Sequence, residues 1–224
     1  MAPTVGFVIP VLNEADGIGS LLTYLARQFP GVPRVVVDGG SSDATVATAM
    51  SHCEQLLIGN PGRAAQMNLG AAGLETDYLL FLHADTRPGF DLAWLEQQLH
   101  DKPPWGFCPV ELSGAHWLLR WVERGINWRS RVTGIGTGDQ MLLVRRDVFE
   151  GQGGFADLPL MEDVELCKRL GKGARPRVLG QRVLTSSRRW EQRGILRTVL
   201  QMWSLRFAYF VGISPQRLWR AYYG

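Results

Sequence analysis

The sequence predicts an α/β fold: a mostly parallel central sheet with helices on both faces, and a helical extension at the C-terminal end. Three observations predict it. Short β-rich runs alternate with helical patterns through the first half of the chain, as βαβ units do. Each run is almost uninterruptedly apolar, as in TVGFVIPV (Thr4 to Val11) and YLLFL (Tyr78 to Leu82), which suits strands covered on both faces. The runs end in polar residues, and in open α/β sheets ligands bind at the carboxyl ends of the strands.

The elements follow in order. Thr4 to Val11 is the first strand. Asn13 to Phe29 has helical spacing, with Ile18, Leu21, Leu22 and Leu25 on one face. Arg34 to Val37 is a second strand ending at Asp38. Gly39 to Asp43 is loop chemistry, with Ser42 or Asp43 placed to cap the next helix. Gln55 to Ile58 is a third strand, Gly62 to Leu74 a helix, Tyr78 to Leu82 a fourth strand, and Phe90 to Leu99 a helix. After Pro104 the alternation loosens. Trp117, Leu118, Trp121, Val122 and Trp128 make an apolar stripe on an arginine-bearing helix. Gln140 to Val144 reads as a strand, Leu160 to Leu170 as a helix, Arg193 to Val211 as an amphipathic helix and Ser214 to Tyr222 as a short one. The expected organisation is one main domain over residues 1–190, with halves meeting near residue 100, followed by amphipathic helices over residues 191–224.

The chain has 224 residues, 46% hydrophobic and 20% charged, enough for one sizeable domain. A net charge of +3 argues against a strong polyanion binder, so no nucleic-acid partner is expected. The charge is uneven: from Arg182 onward there are eight arginines and one acid, Glu191. Such a tail favours phosphates or lipid head groups; the plainer reading is a solvated basic face. Cys53, Cys108 and Cys167 form no C-x-x-C pair and read as reduced, packed thiols of a cytoplasmic protein. No signal-peptide pattern is expected, and no apolar run reaches the roughly 18 residues that span a bilayer.

Glu14 follows the first strand, Asp38 ends the second and Asp85 follows the fourth. If these strands are neighbours, the three acids face one crevice. Like charges so placed repel, which makes sense where a cation or hydrogen-bond donors bind. The plainer alternative is that each acid caps a helix or turn, and for Asp43 that is the preferred reading. Neither G-x-G-x-x-G after the first strand nor G-x-x-x-x-G-K-[ST] nor H-E-x-x-H occurs, so the dinucleotide, P-loop and zinc-protease readings lose their main support. Gly134 to Gly138 is flexible loop material before Asp139, a weak signal alone. Of the four histidines, only His83 has a suggestive position.

Six segments then match a known pattern in order: VIPVLNEADGI (Val8 to Ile18), VVVDGGSSDAT (Val35 to Thr45), GRAAQMNLGA (Gly62 to Ala71), LLFLHADT (Leu79 to Thr86), GDQMLLVRRDVF (Gly138 to Phe149) and LPLMEDVELCKRL (Leu158 to Leu170). Together they resemble family 2 glycosyltransferases of GT-A fold. Within these they look like a small bacterial subgroup, transferase 2 of radical-SAM/selenodomain-associated clusters. The resemblance implies an inverting, single-transfer enzyme that uses a nucleoside-diphosphate sugar, UDP-linked, with Mn²⁺ or Mg²⁺. It places Pro10, Leu12, Asn13 and Glu14 along the nucleotide pocket, with Glu14 accepting from ribose or base, Asp38 reading the base, and Asp43 in support. Arg63 would lie near the phosphates, at a helix N-terminus that also favours anions. His83-Ala84-Asp85 matches the D-x-D position, so Asp85 would hold the metal and Ala84 would line the nucleotide. The first acid of that motif is His83 here, and imidazole suits Mn²⁺ better than Mg²⁺; a phosphate bond or orientation of Asp85 are its other roles.

Glu162-Asp163 matches the acid pair at the acceptor side. Asp163 would take the acceptor proton, helped by a raised pKa, and the plain alternative is two acids complementing a helix dipole. Asp139, Gln140, Arg189 and Trp190 would serve acceptor and phosphates, with Trp190 either stacking on the acceptor sugar or packing in the core. Ser187 to Trp190 resembles Q-x-x-R-W without its glutamine, which argues against a processive synthase. The competing readings are a nucleotidyltransferase of related fold, which usually carries a Gly-rich signature where this chain has VLNEADG, and a non-catalytic nucleotide-sugar-binding partner of a membrane complex. Aromatic and arginine residues around Trp105 to Trp128 and Trp203 to Val211 suit a membrane interface. They suggest a lipid-linked acceptor reached by peripheral contact at the inner face of the membrane; a helix packed on the core, or a homodimer contact, is the alternative.

Overall fold

The computed structural model describes residues 2–223. The chain runs β1 (Val5–Val11), α1 (Ala15–Gln28), β2 (Arg34–Asp38), α2 (Thr45–Met50), β3 (Gln55–Ile58), α3 (Arg63–Ala72), β4 (Tyr78–Phe81), β5 (Thr86–Pro88) and α4 (Leu92–Leu99). It continues through β6 (Trp105–Phe107), β7 (Val110–Leu112), α5 (Trp117–Thr133), a 3-10 turn (Gly138–Gln140), β8 (Leu142–Arg145), α6 (Arg146–Gly151), α7 (Glu162–Gly173), β9 (Arg177–Val178), β10 (Val183–Thr185), α8 (Arg188–Arg193), α9 (Ile195–Phe210) and α10 (Pro215–Tyr223).

The main sheet has the order β3-β2-β1-β4-β8-β6-β9, and only β8 runs against its neighbours. β1 and β4 are buried along their whole length, which explains why their sequences are apolar without alternation. Successive residues still point to opposite faces. Phe7, Ile9, Leu80 and Leu82 pack with α1, α2 and α4, whereas Val8, Leu79 and Phe81 pack with α3, α6 and α7. α3 approaches β1 so closely that a Cβ at Gly70 would lie 2.5 Å from Val8 Cγ1. A smaller sheet, β5-β10-β7, lies beside the carboxyl end of β4, with β10 antiparallel to β5 and parallel to β7.

Several expectations change. The strand expected from Gln140 begins at Leu142, because Gly138–Gln140 close into a 3-10 turn. Neither Ser42 nor Asp43 is the N-cap of α2; that position is Ala44, and Asp43 instead accepts from Thr45 N at 2.9 Å. β5, β6, β7, β9 and β10 have at most three residues each, too short for any periodicity to register.

The stripe on α5 faces outward: Trp117, Trp121 and Trp128 are exposed, while Leu119, Glu123 and Ser130 are buried. The inward face is polar because it satisfies a sheet edge. Glu123 Oε1 accepts from Leu112 N at 2.5 Å, and the Asn127 amide accepts from Val110 N at 2.8 Å and donates to Val110 O at 2.9 Å. All three cysteines are free thiols, with Cys108 and Cys167 buried. Among the described residues no helix is long and apolar enough to cross a membrane.

Candidate active site

The carboxyl ends of β1, β2 and β4 lie side by side, with Val11 opposite Asp38 and Val8 opposite Phe81. Buried Gln66 on α3 donates to Val11 O (2.9 Å) and Val37 O (2.7 Å), so one side chain holds two strand ends together. The loops beyond are laced to each other. Asn13, at φ 55°, donates through its backbone to Ser41 Oγ (2.8 Å) and accepts from Ser42 N (2.9 Å) through Oδ1. Glu14 N donates to Thr45 Oγ1 at 2.7 Å. Asp38 is 2% exposed and accepts from Gly40 N and Ser41 N, each at 2.9 Å, and from the Ser41 hydroxyl. Its carboxylate therefore organises the 39–43 loop. Pro10 and Ala84 are buried in the floor, and Leu12 is exposed above it.

Glu14 is half-buried, and burial together with the neighbouring Asp85 carboxylate pushes its pKa up against the pull of Arg188. Of the three acids expected at the strand ends, Glu14 and Asp85 lie close enough to interact, while Asp38 is turned into its own loop. Beside them, ligand atoms of His83, Asp85 and Asp139 all lie within 4.8 Å of one another, with His83 Nδ1 3.3 Å from Asp139 Oδ1. Protein surrounds Asp139 closely, yet its side chain keeps 54% of its surface open. Burial would raise its pKa, but the His83 bond and charge, with Arg63 and Arg189, hold it below the usual carboxylate value.

The turn that carries Asp139 also reaches the acid pair at the start of α7. Gly138 N donates to Asp163 Oδ2 at 2.9 Å, and Asp163 Oδ1 accepts from Val164 N at 2.6 Å. Gly138 packs against the His83 ring so closely that a Cβ there would overlap it. His83, Gly138, Asp139 and Asp163 thus form one connected unit. α7 begins at Met161, a non-glycine residue in the left-handed region (φ 69°), which aims Glu162 inward and leaves Asp163 half-buried at the cleft. Burial raises the pKa of its neighbour Glu162, which is 5% exposed and further opposed by the Asp163 charge.

Gln140 departs from the acceptor role expected of it. It is fully buried, accepting from Ser130 Oγ (2.7 Å) and Thr137 N (3.2 Å) and donating to Cys108 O (3.2 Å), so it fixes the turn. Arg189 bonds the Tyr222 hydroxyl and lies 5.7 Å over its ring; Trp190 beside it is half-buried. Sequence reasoning missed Arg129. Its guanidinium is mostly buried near Asp163 and Asp139, and Nη1 meets no hydrogen-bond partner there. No motif flags it, because its approach to Asp163 is made by tertiary packing between residues 34 positions apart.

Residues 7–101 match the family described as Glycosyl transferase family 2. A pre-mycofactocin glycosyltransferase of Mycobacterium tuberculosis is 38% identical over 100 residues, which cover 41% of this chain and 19% of that relative. Among solved structures, a mannosyltransferase of Pyrobaculum calidifontis in complex with GDP-Man and Mn²⁺ superposes with a TM-score of 0.68 at 20% identity, over 93% of this chain and 61% of that one. S. aureus TarS in complex with UDP-GlcNAc gives 0.66 at 17% identity, over 82% and 58%. At these identities the likeness shows the fold, which is GT-A. The chain spans about a fifth of the length of the curated relative.

Proposed function

We propose that this protein transfers one sugar from a nucleoside-diphosphate sugar, UDP-linked, to an acceptor hydroxyl with inversion, a reading supported by the match of residues 7–101 to Glycosyl transferase family 2. The observation that carries this reading is the connected unit at the cleft: the His83–Asp85–Asp139 group joined through Gly138 to Asp163. It supports a reading in which the group near the diphosphate and the proposed base Asp163 act together.

One imidazole and two carboxylates within 4.8 Å fit a divalent cation, and Mn²⁺ better than Mg²⁺. Bound there, such an ion would neutralise charge on the departing nucleoside diphosphate. The chain's own residues do the rest. Arg63, at the start of α3, draws the phosphates toward a helix N-terminus. Glu14 accepts from the ribose or base above the β1 end, and the 39–43 loop organised by Asp38 forms the wall beside it. Asp163 Oδ2 accepts the acceptor's proton as the acceptor oxygen bonds to the anomeric carbon, and the bond from that carbon to the diphosphate oxygen breaks on the opposite face. Burial and the neighbouring Asp163 charge both raise the pKa of Glu162, which lies beside that base. The exposed aromatic surface near the acceptor side supports an amphiphilic acceptor.

The experiment is titration calorimetry of UDP and GDP, each with and without Mn²⁺. Metal-dependent UDP binding that Asp85→Ala removes supports the donor site. A GDP preference, which the mannosyltransferase complex makes the second reading, would keep transfer and overturn the uridine assignment. Binding of neither nucleotide refutes the reading.

A further inference from the structure

α9 is apolar on two opposite faces. Its inner face, through Met202, Leu205 and Tyr209, packs with Leu218 and Tyr222 of α10 and with Leu160 and Met161, the residues just before Glu162 and Asp163. Its outer face carries Leu196, Leu200, Trp203, Phe207 and Phe210, each 65–80% exposed. At 100° per residue these five fall in one band, opposite the inner set. A helix that is apolar on both sides needs two partners, and the described residues supply one. Arg197 and Arg206 lie on the two borders between the faces, and from Gln192 to Gly224 the chain has five arginines and no acid. α5, which touches α9, also turns tryptophans outward, with Arg124 5.1 Å over the Trp121 ring.

We propose that the outer face of α9 seats on an anionic lipid surface, with its aromatic side chains in the headgroup boundary and its flanking arginines on the phosphates. Charge selects this occupant. A second copy of the chain seated on this face would set Arg197 and Arg206 against arginines, whereas an anionic bilayer complements them and takes up Trp and Phe at its boundary. The inner face rests on the segment leading into Glu162, and Tyr222 of α10 bonds Arg189, so the seated helix would bring the acceptor side of the cleft to the lipid. The inference stands independently of the transfer reaction.

The test is co-sedimentation of the full chain with phosphatidylglycerol-containing vesicles and with pure phosphatidylcholine vesicles, at low and high salt. The expected result is binding to the anionic vesicles that weakens with salt. Removing two aromatic side chains from the headgroup boundary should cost about a hundredfold in partition, so Trp203→Ser with Phe207→Ser should release the protein. Circular dichroism and thermal unfolding check that this variant stays folded, and Arg197→Glu with Arg206→Glu tests the charges without touching the apolar face. Absence of binding to anionic vesicles at low salt overturns the proposal. So does binding that both variants leave unchanged, or a dimer in sedimentation velocity that the aromatic variant dissolves while vesicles capture nothing.

Discussion

Gly138→Ala tests whether the turn at residues 138–140 builds the candidate site. The φ of Gly138 lies outside the left-handed region, so backbone strain is not what excludes a side chain. The obstacle is the His83 ring: a Cβ would sit 3.1 Å from Nδ1 and well inside the 3.0 Å limit of real contacts to Cε1 and Nε2. To regain ordinary contact at about 3.5–4.0 Å the ring must retreat by roughly 1 Å or more. Metal–ligand distances tolerate about 0.2 Å, so the displaced imidazole leaves the group formed with Asp85 and Asp139. The expected cost is about 1–3 kcal/mol of stability from overpacking and about 10–100-fold in Mn²⁺ affinity from a misplaced donor. Urea unfolding of wild type, Gly138→Ala, His83→Ala and the double variant measures the first, and electron-spin titration of free Mn²⁺ measures the second. Because the three nearest atoms all belong to His83, the Gly138→Ala penalty should largely vanish when His83 is already alanine. An equal penalty in both backgrounds refutes the steric argument, and unchanged Mn²⁺ affinity in Gly138→Ala refutes the cation site.

Asp163→Asn keeps the side-chain shape and removes the proposed base; transfer should fall by about 10²–10⁴-fold with UDP affinity unchanged, and turnover at the wild-type rate would refute the assignment. Glu162 has a folded-state pKa above its unfolded value, so the stability its proton supplies is complete below the unfolded value and is lost as pH rises through the folded one. Glu162→Gln should therefore stabilise the protein more at pH 7 than near pH 4.5, as thermal melts at both values will show; a gain independent of pH would contradict the raised pKa. Burial raises the pKa of Cys108 and Cys167, while Cys53 is half-buried and raised by burial and Glu54. A thiol reagent at pH 8 should label Cys53 first in the native protein and all three cysteines after denaturation; early modification of Cys108 would contradict the packing.

The sequence by itself determined the long strands and the acids that follow them. A strand covered on both faces must be apolar at every position, so VGFVIPV and YLLF declare themselves without any tertiary information, whereas the pairing of β1 with both β2 and β4, which brings Glu14, Asp38 and Asp85 to neighbouring strand ends, is a matter of the sheet order. Helical spacing located α1 and α7 because one buried stripe recurs over three or more turns. What only the tertiary structure decided lies where no local period operates. Asp139 joins His83, and Gly138 reaches Asp163, because a turn after α5 folds back over the β4 end, and nothing in G-I-G-T-G-D-Q encodes that distance. Glu162 takes the raised pKa because α7 starts from a left-handed residue and turns that carboxyl inward. Gln140, read as a ligand contact, is instead the buried pin of its turn. The tryptophans of α5 follow the same logic in reverse. Spacing shows that they share a face, but the unpaired backbone of β7 had to be satisfied by Glu123 and Asn127, and that requirement turned the polar face inward and the aromatic face out.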